Sequence, residues 1–254
     1  MKKIAFDWKR IGKSLLKETE KSSEEINDVL DKLNFLASEC GEITGSRKML
    51  NRIGKILITQ NPVTILTPCC QTLNAGSKIL VEKHIAFLQK VFKIIPSISP
   101  LFLVADHESE DMELCLAVGK TQEEFYLMTK KSIVDISSLI ESFGWKTALM
   151  LEIIPNLIQR ENEIAQWIAN ENQFKARLIT ETAARRNLYH NIYRAKPMTV
   201  KEQMQRTIKT AAQYVVMGEF ANQNNFLICN HTTSNLAWYL QTEAAILHNP
   251  ISPY

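Results

Sequence analysis

The chain has 254 residues, 45% apolar and 22% charged, a globular balance that excludes a disordered linker and leaves ample material for a core. Eight glycines fall well below the average share of ~7% and argue against a loop-rich all-β sandwich or a glycine-lined nucleotide cradle. The formal net charge of +3 is too small to name a partner.

The first ten residues carry Lys2, Lys3, Asp7, Lys9 and Arg10, without the ~7–15-residue apolar run of a secretory signal. No later apolar segment approaches the ~20 residues of a spanning helix, so the expectation is a soluble, cytoplasmic protein. The five cysteines (Cys40, Cys69, Cys70, Cys115, Cys229) have no C-x-x-C spacing, which fits free thiols in a reducing compartment rather than a disulfide framework or zinc ribbon.

Residues 1–35 alternate charged and apolar positions and predict one or two amphipathic helices. Gly41, Gly45 and Gly54 then punctuate a loop region. Residues 56–58 and 63–66 are short β-branched or leucine runs separated by the turn signal Asn61-Pro62. Val81, Ile85, Leu88 and Phe92 follow at helical spacing, predicting a helix from 77 or 78 to 93 that Pro96 and Pro100 close. Residues 101–105 read as a buried strand before Asp106. With 34 residues between Leu66 and Leu101, this is a βαβ unit, whose loops meet at the carboxyl edge of a parallel sheet.

Thr121 and Glu124 form a capping-box pattern after Gly119. The helix they open has its core stripe at Ile133, Ile136, Ile140 and Phe143, and Gly144 stops it. Residues 147–154 read as a third strand. Beyond Pro155 helices are expected over 157–170, 173–192 and 200–218, the last with Val200, Met204, Ile208, Ala211 and Val215 on one face. Residues 226–229 and 236–239 are candidate closing strands. The class is α/β, an open and mostly parallel sheet with extra helices. We expect a single domain: a helical extension (1–50), a βαβ core (55–154), a helical part (155–220), and closing strands with a tail (221–254).

There is no G-x-G-x-x-G, Walker loop, H-E-x-x-H or G-x-S-x-G motif. Residues 63–66 lead directly into Thr67-Pro68-Cys69-Cys70-Gln71-Thr72. In an open α/β sheet, ligands are met at the carboxyl end of such a strand, and hydroxyl and thiol groups there are potential nucleophiles. The plainer alternative is that Thr67 caps the next element and the cysteines are small buried residues. The acidic stretch 106–113 (Asp106, His107, Glu108, Glu110, Asp111, Glu113) matches no standard metal spacing and is better read as a solvated loop. Cys229 and His231, two apart, do not make a zinc site.

Charge is distributed unevenly. Residues 175–209 hold nine basic side chains, among them Arg177, Arg185, Arg186, Arg206 and Lys209, against Glu181 and Glu202, with Tyr189 and Tyr193 interleaved. A solvated helix face is the ordinary explanation, but this excess with aromatics favours a nucleic-acid backbone, RNA in particular.

The order of these features resembles the tRNA-dependent cyclodipeptide synthases, a family with a Rossmann-like domain similar to that of class I aminoacyl-tRNA synthetases. The pieces that carry the resemblance are Leu66-Thr67-Pro68-Cys69-Cys70, the helix with Val81 to Phe92, Leu103-Val104-Ala105-Asp106, Gly119, Tyr214-Val215-Val216-Met217-Gly218-Glu219, and Leu236-Ala237-Trp238-Tyr239. Together they span residues 63–241, with few identities. Thr67 stands where the family has serine and Cys70 where it has asparagine. Glu219 comes five residues after Tyr214 instead of four, ~140° around an ideal helix, unless Gly218 permits a bulge. The family's basic helix corresponds to the one bearing Lys130 and Lys131.

The resemblance implies peptide-bond formation between aminoacyl groups of charged tRNAs, ending in a diketopiperazine and needing no cofactor. Thr67, Cys69 or Cys70 would accept the first aminoacyl group, Tyr214 and Glu219 would hold its ammonium, and Tyr239 would sit beside its carbonyl. Lys130, Lys131, Arg177, Arg185 and Arg186 would meet tRNA, and His231 or Asn235 would line the pocket. Two alternatives remain open: a Rossmann methyltransferase with Asp106 on the ribose, or a non-catalytic RNA- or protein-binding module.

Overall fold

The computed structural model describes residues 7–39, 47–69, 75–186, 195, 197–230 and 245–248. Three amphipathic helices come first. In α1 (Trp8–Glu18), Asp7 accepts from the Arg10 amide, and Ile11 and Leu15 are buried. In α2 (Ser23–Glu39) the stripe is Ile26, Val29, Leu33 and Leu36. The third, α3 (Arg47–Thr59), corrects the expectation of a loop at Gly54 and a strand-like run at 56–58. Leu50, Ile53 and Ile56 are all buried at helical spacing, and this shared face outweighs the β preference of isoleucine. A side chain on Gly54 would meet Leu15 and Leu33 within 3.0–3.2 Å, so the glycine lets α3 approach α1 and α2 closely.

The sheet begins with β1 (Val63–Cys69), after a cis Asn61-Pro62 bond. Next come α4 (Ala75–Ile94), β2 (Ile98–Val104), a tight 3-10 turn (Asp106–Glu110), α5 (Met112–Val118) and α6 (Gln122–Ile140). On α4, Val81, Ile85, Leu88 and Val91 face the core, while Phe92, expected there, is 42% exposed. Pro100 lies inside β2 and does not merely close α4. It pairs with Ile65 of β1 but precedes the first residue bonded to β3, Leu101, where a missing amide hydrogen is tolerated. The capping box of α6 forms as expected, Thr121 Oγ1 accepting from Glu124 N and Glu124 from Thr121 N. Phe143, expected in the α6 core stripe, is exposed.

The third strand is shorter than expected. β3 covers Lys146–Leu149, and the chain then coils into α7 (Met150–Ile153). Asp106 accounts for the early end: its Oδ1 accepts from Leu151 N at 3.0 Å, satisfying an amide that would otherwise continue the ladder. Helices α8 (Leu157–Asn170), α9 (Asn172–Ala184) and α10 (Val200–Gln223) come next, then β4 (Leu227–Asn230) and β5 (Ala245–His248). On α10, Ile208, Ala211 and Val215 are buried, but Val200 is exposed. The expected strand at 236–239 lies outside the described residues.

All strand pairs are parallel, in the order β3-β2-β1-β4-β5. The chain fills the sheet in one direction from β1 to β3, then returns to the other side of β1. This is a Rossmann-like α/β fold, and its topological switch point lies between the carboxyl ends of β1 and β4. Among the described residues no helix is long and apolar enough to cross a membrane.

Candidate active site at the carboxyl edge of the sheet

Thr67 lies within β1, not on a loop after it, and is wholly buried. The β1–β4 register pairs Ile65 with Leu227 and Leu66 with Ile228, so one step further sets Thr67 beside Cys229. On its other side Thr67 pairs with Phe102, and Phe102 with Thr147. Paired residues of parallel strands point to the same face. Cys229 Sγ lies 3.6 Å from His84 Nδ1 of α4, and Thr147 Oγ1 lies 2.7 Å from Ser137 Oγ of α6. The whole row therefore faces the α4–α6 layer. There the Thr67 hydroxyl has no hydrogen-bond partner among the described residues. Cys69 is buried, and its thiol donates to the Thr67 carbonyl at 3.6 Å. Cys70 lies outside the described residues.

The turn after β2 is largely buried, not the solvated loop expected from its charge. Asp106, His107 and Ser109 are buried, and among the described residues no group of three or more His, Cys, Asp or Glu is arranged to hold a metal. Glu108 pairs with Arg206 of α10. Asp111 Oδ2 takes Lys209 Nζ at 2.7 Å and Arg206 Nη1 at 3.4 Å. Burial pushes the Asp111 carboxyl up, but the Lys209 hydrogen bond, the Leu114 amide and the nearby cations outweigh it and hold it below the ordinary value. His107 Nε2 lies 3.4 Å from Glu161 Oε2 of α8. Burial lowers the His107 pKa and pushes Glu161 up to about 7. Burial also raises Asp106, against the Leu151 amide. Turned inward on α7, Asp106 is not presented to a ribose, which removes the main support for a methyltransferase.

Tyr214 is half-buried on α10, packed against the core. The helix runs unbroken through Gly218, so no bulge returns Glu219 to the Tyr214 face. Both carboxylate oxygens of Glu219 are taken by Arg160 of α8, and the expected Tyr214–Glu219 pair on one ammonium is not formed. Tyr239, His231 and Asn235 lie outside the described residues.

The basic segment is divided. Arg206 and Lys209 are committed to the acidic turn, and Arg185 is half-buried with its Nε 3.7 Å from Glu181. Lys175, Arg177, Arg186 and Lys201 are exposed. Lys130 and Lys131 are exposed on α6, with Lys130 Nζ 4.7 Å from the centre of the Tyr126 ring. His84, Arg160 and Glu161 were not anticipated. His84 and Glu161 had a signal: each interrupts an apolar stripe, Val81–Ile85–Leu88 and Leu157–Ile164–Ile168.

No family model and no curated protein matches the chain. A solved structure does: tyrosyl-tRNA synthetase from Archaeoglobus fulgidus, complexed with L-tyrosine, at a TM-score of 0.51 and 13% identity. The match covers 88% of this chain and 64% of that one, so this chain spans less than two thirds of the synthetase's length. At that identity the likeness is one of fold. The protein has a class I aminoacyl-tRNA synthetase-like, Rossmann-like α/β fold.

Proposed function

We propose that the protein forms peptide bonds between aminoacyl groups delivered by charged tRNAs, through a covalent aminoacyl-enzyme, and releases a cyclic dipeptide. The observation that carries this reading is the Thr67 hydroxyl: buried, without a partner among the described residues, and on the central strand beside the switch point of a synthetase-like fold. A desolvated, unpaired hydroxyl costs ~1–3 kcal/mol and calls for an explanation, of which a catalytic role is one.

In this mechanism Thr67 Oγ1 attacks the aminoacyl ester carbonyl. The new Oγ1–carbon bond replaces the bond to the tRNA ribose oxygen, which leaves with the threonine proton. The amine of a second aminoacyl-tRNA attacks this ester, breaking the bond to Thr67 Oγ1, which takes back a proton. The free amine of the resulting dipeptidyl-tRNA then attacks its own ester carbonyl, and the second tRNA leaves through its ribose oxygen with the amine proton. Each acyl group arrives already activated, so no nucleotide is consumed. The resemblance assigns Tyr214 to the ammonium of the first residue and Tyr239 to the carbonyl. Because Tyr214 stands on α10 and Thr67 enters the α4–α6 layer, an acyl group on Thr67 reaches Tyr214 only around the carboxyl edge of the sheet. Glu219 acts indirectly, anchoring Arg160. The exposed bases Lys130, Lys131, Arg177 and Arg186 contact tRNA phosphates.

Radioactive aminoacyl-tRNA is the test. Acid-stable labelling should vanish in Thr67→Ala and persist in Cys69→Ala and Cys70→Ala, with cyclic dipeptides in the medium of expressing cells. Equal labelling in all three variants refutes the assignment of Thr67. The complete burial of Thr67 favours a second reading, a non-catalytic RNA-binding module, which predicts tRNA binding without any labelling.

A further inference from the structure

The turn after β2 is held by charged groups from three elements. His107, 5% exposed, faces Glu161 of α8, 7% exposed, across 3.4 Å, and neither ring nitrogen of His107 has a hydrogen-bond partner among the described residues. Around them stand Glu108 on the turn, Asp111 at the start of α5, and Arg206 and Lys209 on α10. Asp106 turns toward α7, where Glu152 is its charged neighbour. From α6 the contact is the uncharged amide of Gln122, on the carbonyls of Ser109 and Glu110.

Charge balance constrains this cluster. Arg206 and Lys209 neutralise Glu108 and Asp111. The remaining pair, His107 and Glu161, is neutral only when it carries one proton: imidazole with carboxylic acid, or imidazolium with carboxylate. A second proton leaves a buried positive charge, and loss of the proton leaves a buried negative one. Either is expensive in an interior where Glu108 and Asp111 are already matched by Arg206 and Lys209 and where Asp106 is turned away toward α7.

We propose that His107 and Glu161 hold one proton in common and form a latch between the carboxyl edge of the sheet and the α8–α10 layer, closed throughout mildly acidic pH. The two linkages have opposite signs. Glu161 is raised from 4.5 to about 7, so its contribution is complete below pH 4.5 and is lost as pH rises through about 7. His107 is lowered from 6.5, so its contribution is present above pH 6.5 and is lost as pH falls. Between these limits folded and unfolded pairs each carry one proton, and the slopes cancel.

The test is the urea unfolding equilibrium of the full chain from pH 4.5 to 8, for wild type and Glu161→Gln. The glutamine copies the protonated acid but cannot exchange a proton with His107. Below pH 6.5 the variant's folded-to-unfolded ratio should fall relative to wild type, by up to about tenfold per pH unit. Parallel curves for the two proteins overturn the latch. Wild type alone also tests it, through carbon-13 NMR of the Glu161 carboxyl and nitrogen-15 NMR of the His107 ring from pH 4 to 8. Neither group should titrate by itself at its ordinary value; a carboxyl that titrates near 4.5 and a ring that titrates near 6.5 overturn the proposal.

Discussion

Arg160 grips Glu219 with two parallel hydrogen bonds, Nε to Oε2 at 2.9 Å and Nη2 to Oε1 at 2.8 Å, tying α8 to the far end of α10. A third bond, from Nη1 to Glu163 Oε2 at 3.0 Å, keeps the guanidinium in place. Both partners are well exposed, so Glu219→Gln should cost only about 0–1 kcal/mol in a urea melt. Labelling by aminoacyl-tRNA should hardly change. Tyr214→Phe, which removes the group assigned to the ammonium, should lower it roughly tenfold or more. The reverse pattern would return the carboxylate to the site.

Thr67→Val separates chemistry from packing. It replaces a hydroxyl that has no partner among the described residues with a methyl of similar size. Relief of the desolvation penalty should raise stability by roughly 1 kcal/mol, while labelling disappears. Thr67→Ser, keeping the oxygen, should retain it. A valine variant that melts lower than wild type would mean that the hydroxyl is satisfied in solution.

The exposed and committed bases should respond differently to substitution. Arg186→Ala, or Lys130→Ala with Lys131→Ala, should flatten the plot of log tRNA affinity against log salt, by about 0.7–0.9 for every phosphate that the variant no longer neutralises. Arg206→Ala should instead lower stability by roughly 2–3 kcal/mol, because it takes the guanidinium away from the half-buried Glu108 and from Asp111. Filter binding over a salt series, beside thermal melts of the same variants, distinguishes the two groups.

Asp111 predicts an acid limit. Its folded pKa lies below the ordinary 3.8, so its stabilising effect is present above pH 3.8 and is lost as pH falls through the folded value. Asp111→Asn should cost ~1–3 kcal/mol at pH 6, and the gap from wild type should shrink below pH 3.8. A gap independent of pH from 2.5 to 6 would show that the carboxylate charge contributes nothing.

Gly119 closes α5 in the left-handed region, φ +73°, where a Cβ would stand 2.8 Å from the Ala195 Cβ. Gly119→Ala should therefore destabilise by about 1–2 kcal/mol for the backbone alone, with the clash adding to it. Gly144, at φ +66° with nothing within 4 Å, should show only the backbone part. Thermal melts of the two alanine variants test the difference.

How much was legible depends on the range of each interaction. The capping box of Thr121 and Glu124, the stripe of α4 as far as Leu88, and the β1-α4-β2 order rest on residues near in sequence, and all are found. The same local reading fails where a partner is remote. Residues 56–58 have the composition of a strand, but α1 and α2 offer their apolar faces to a helix there. Residues 147–154 read as one strand until Asp106, 45 positions earlier, captures the Leu151 amide.

The charged residues show the same division. Composition alone determined that residues 175–209 carry an excess of positive charge and residues 106–113 an excess of negative charge. Tertiary structure decided that the two meet, Arg206 closing on Glu108 across 98 positions, which withdraws part of the basic segment from any nucleic acid. It decided too that the Thr67 side chain enters the α4–α6 layer. The face on which a strand residue lies follows from alternation along the strand, but which helix covers that face depends on how the sheet is ordered.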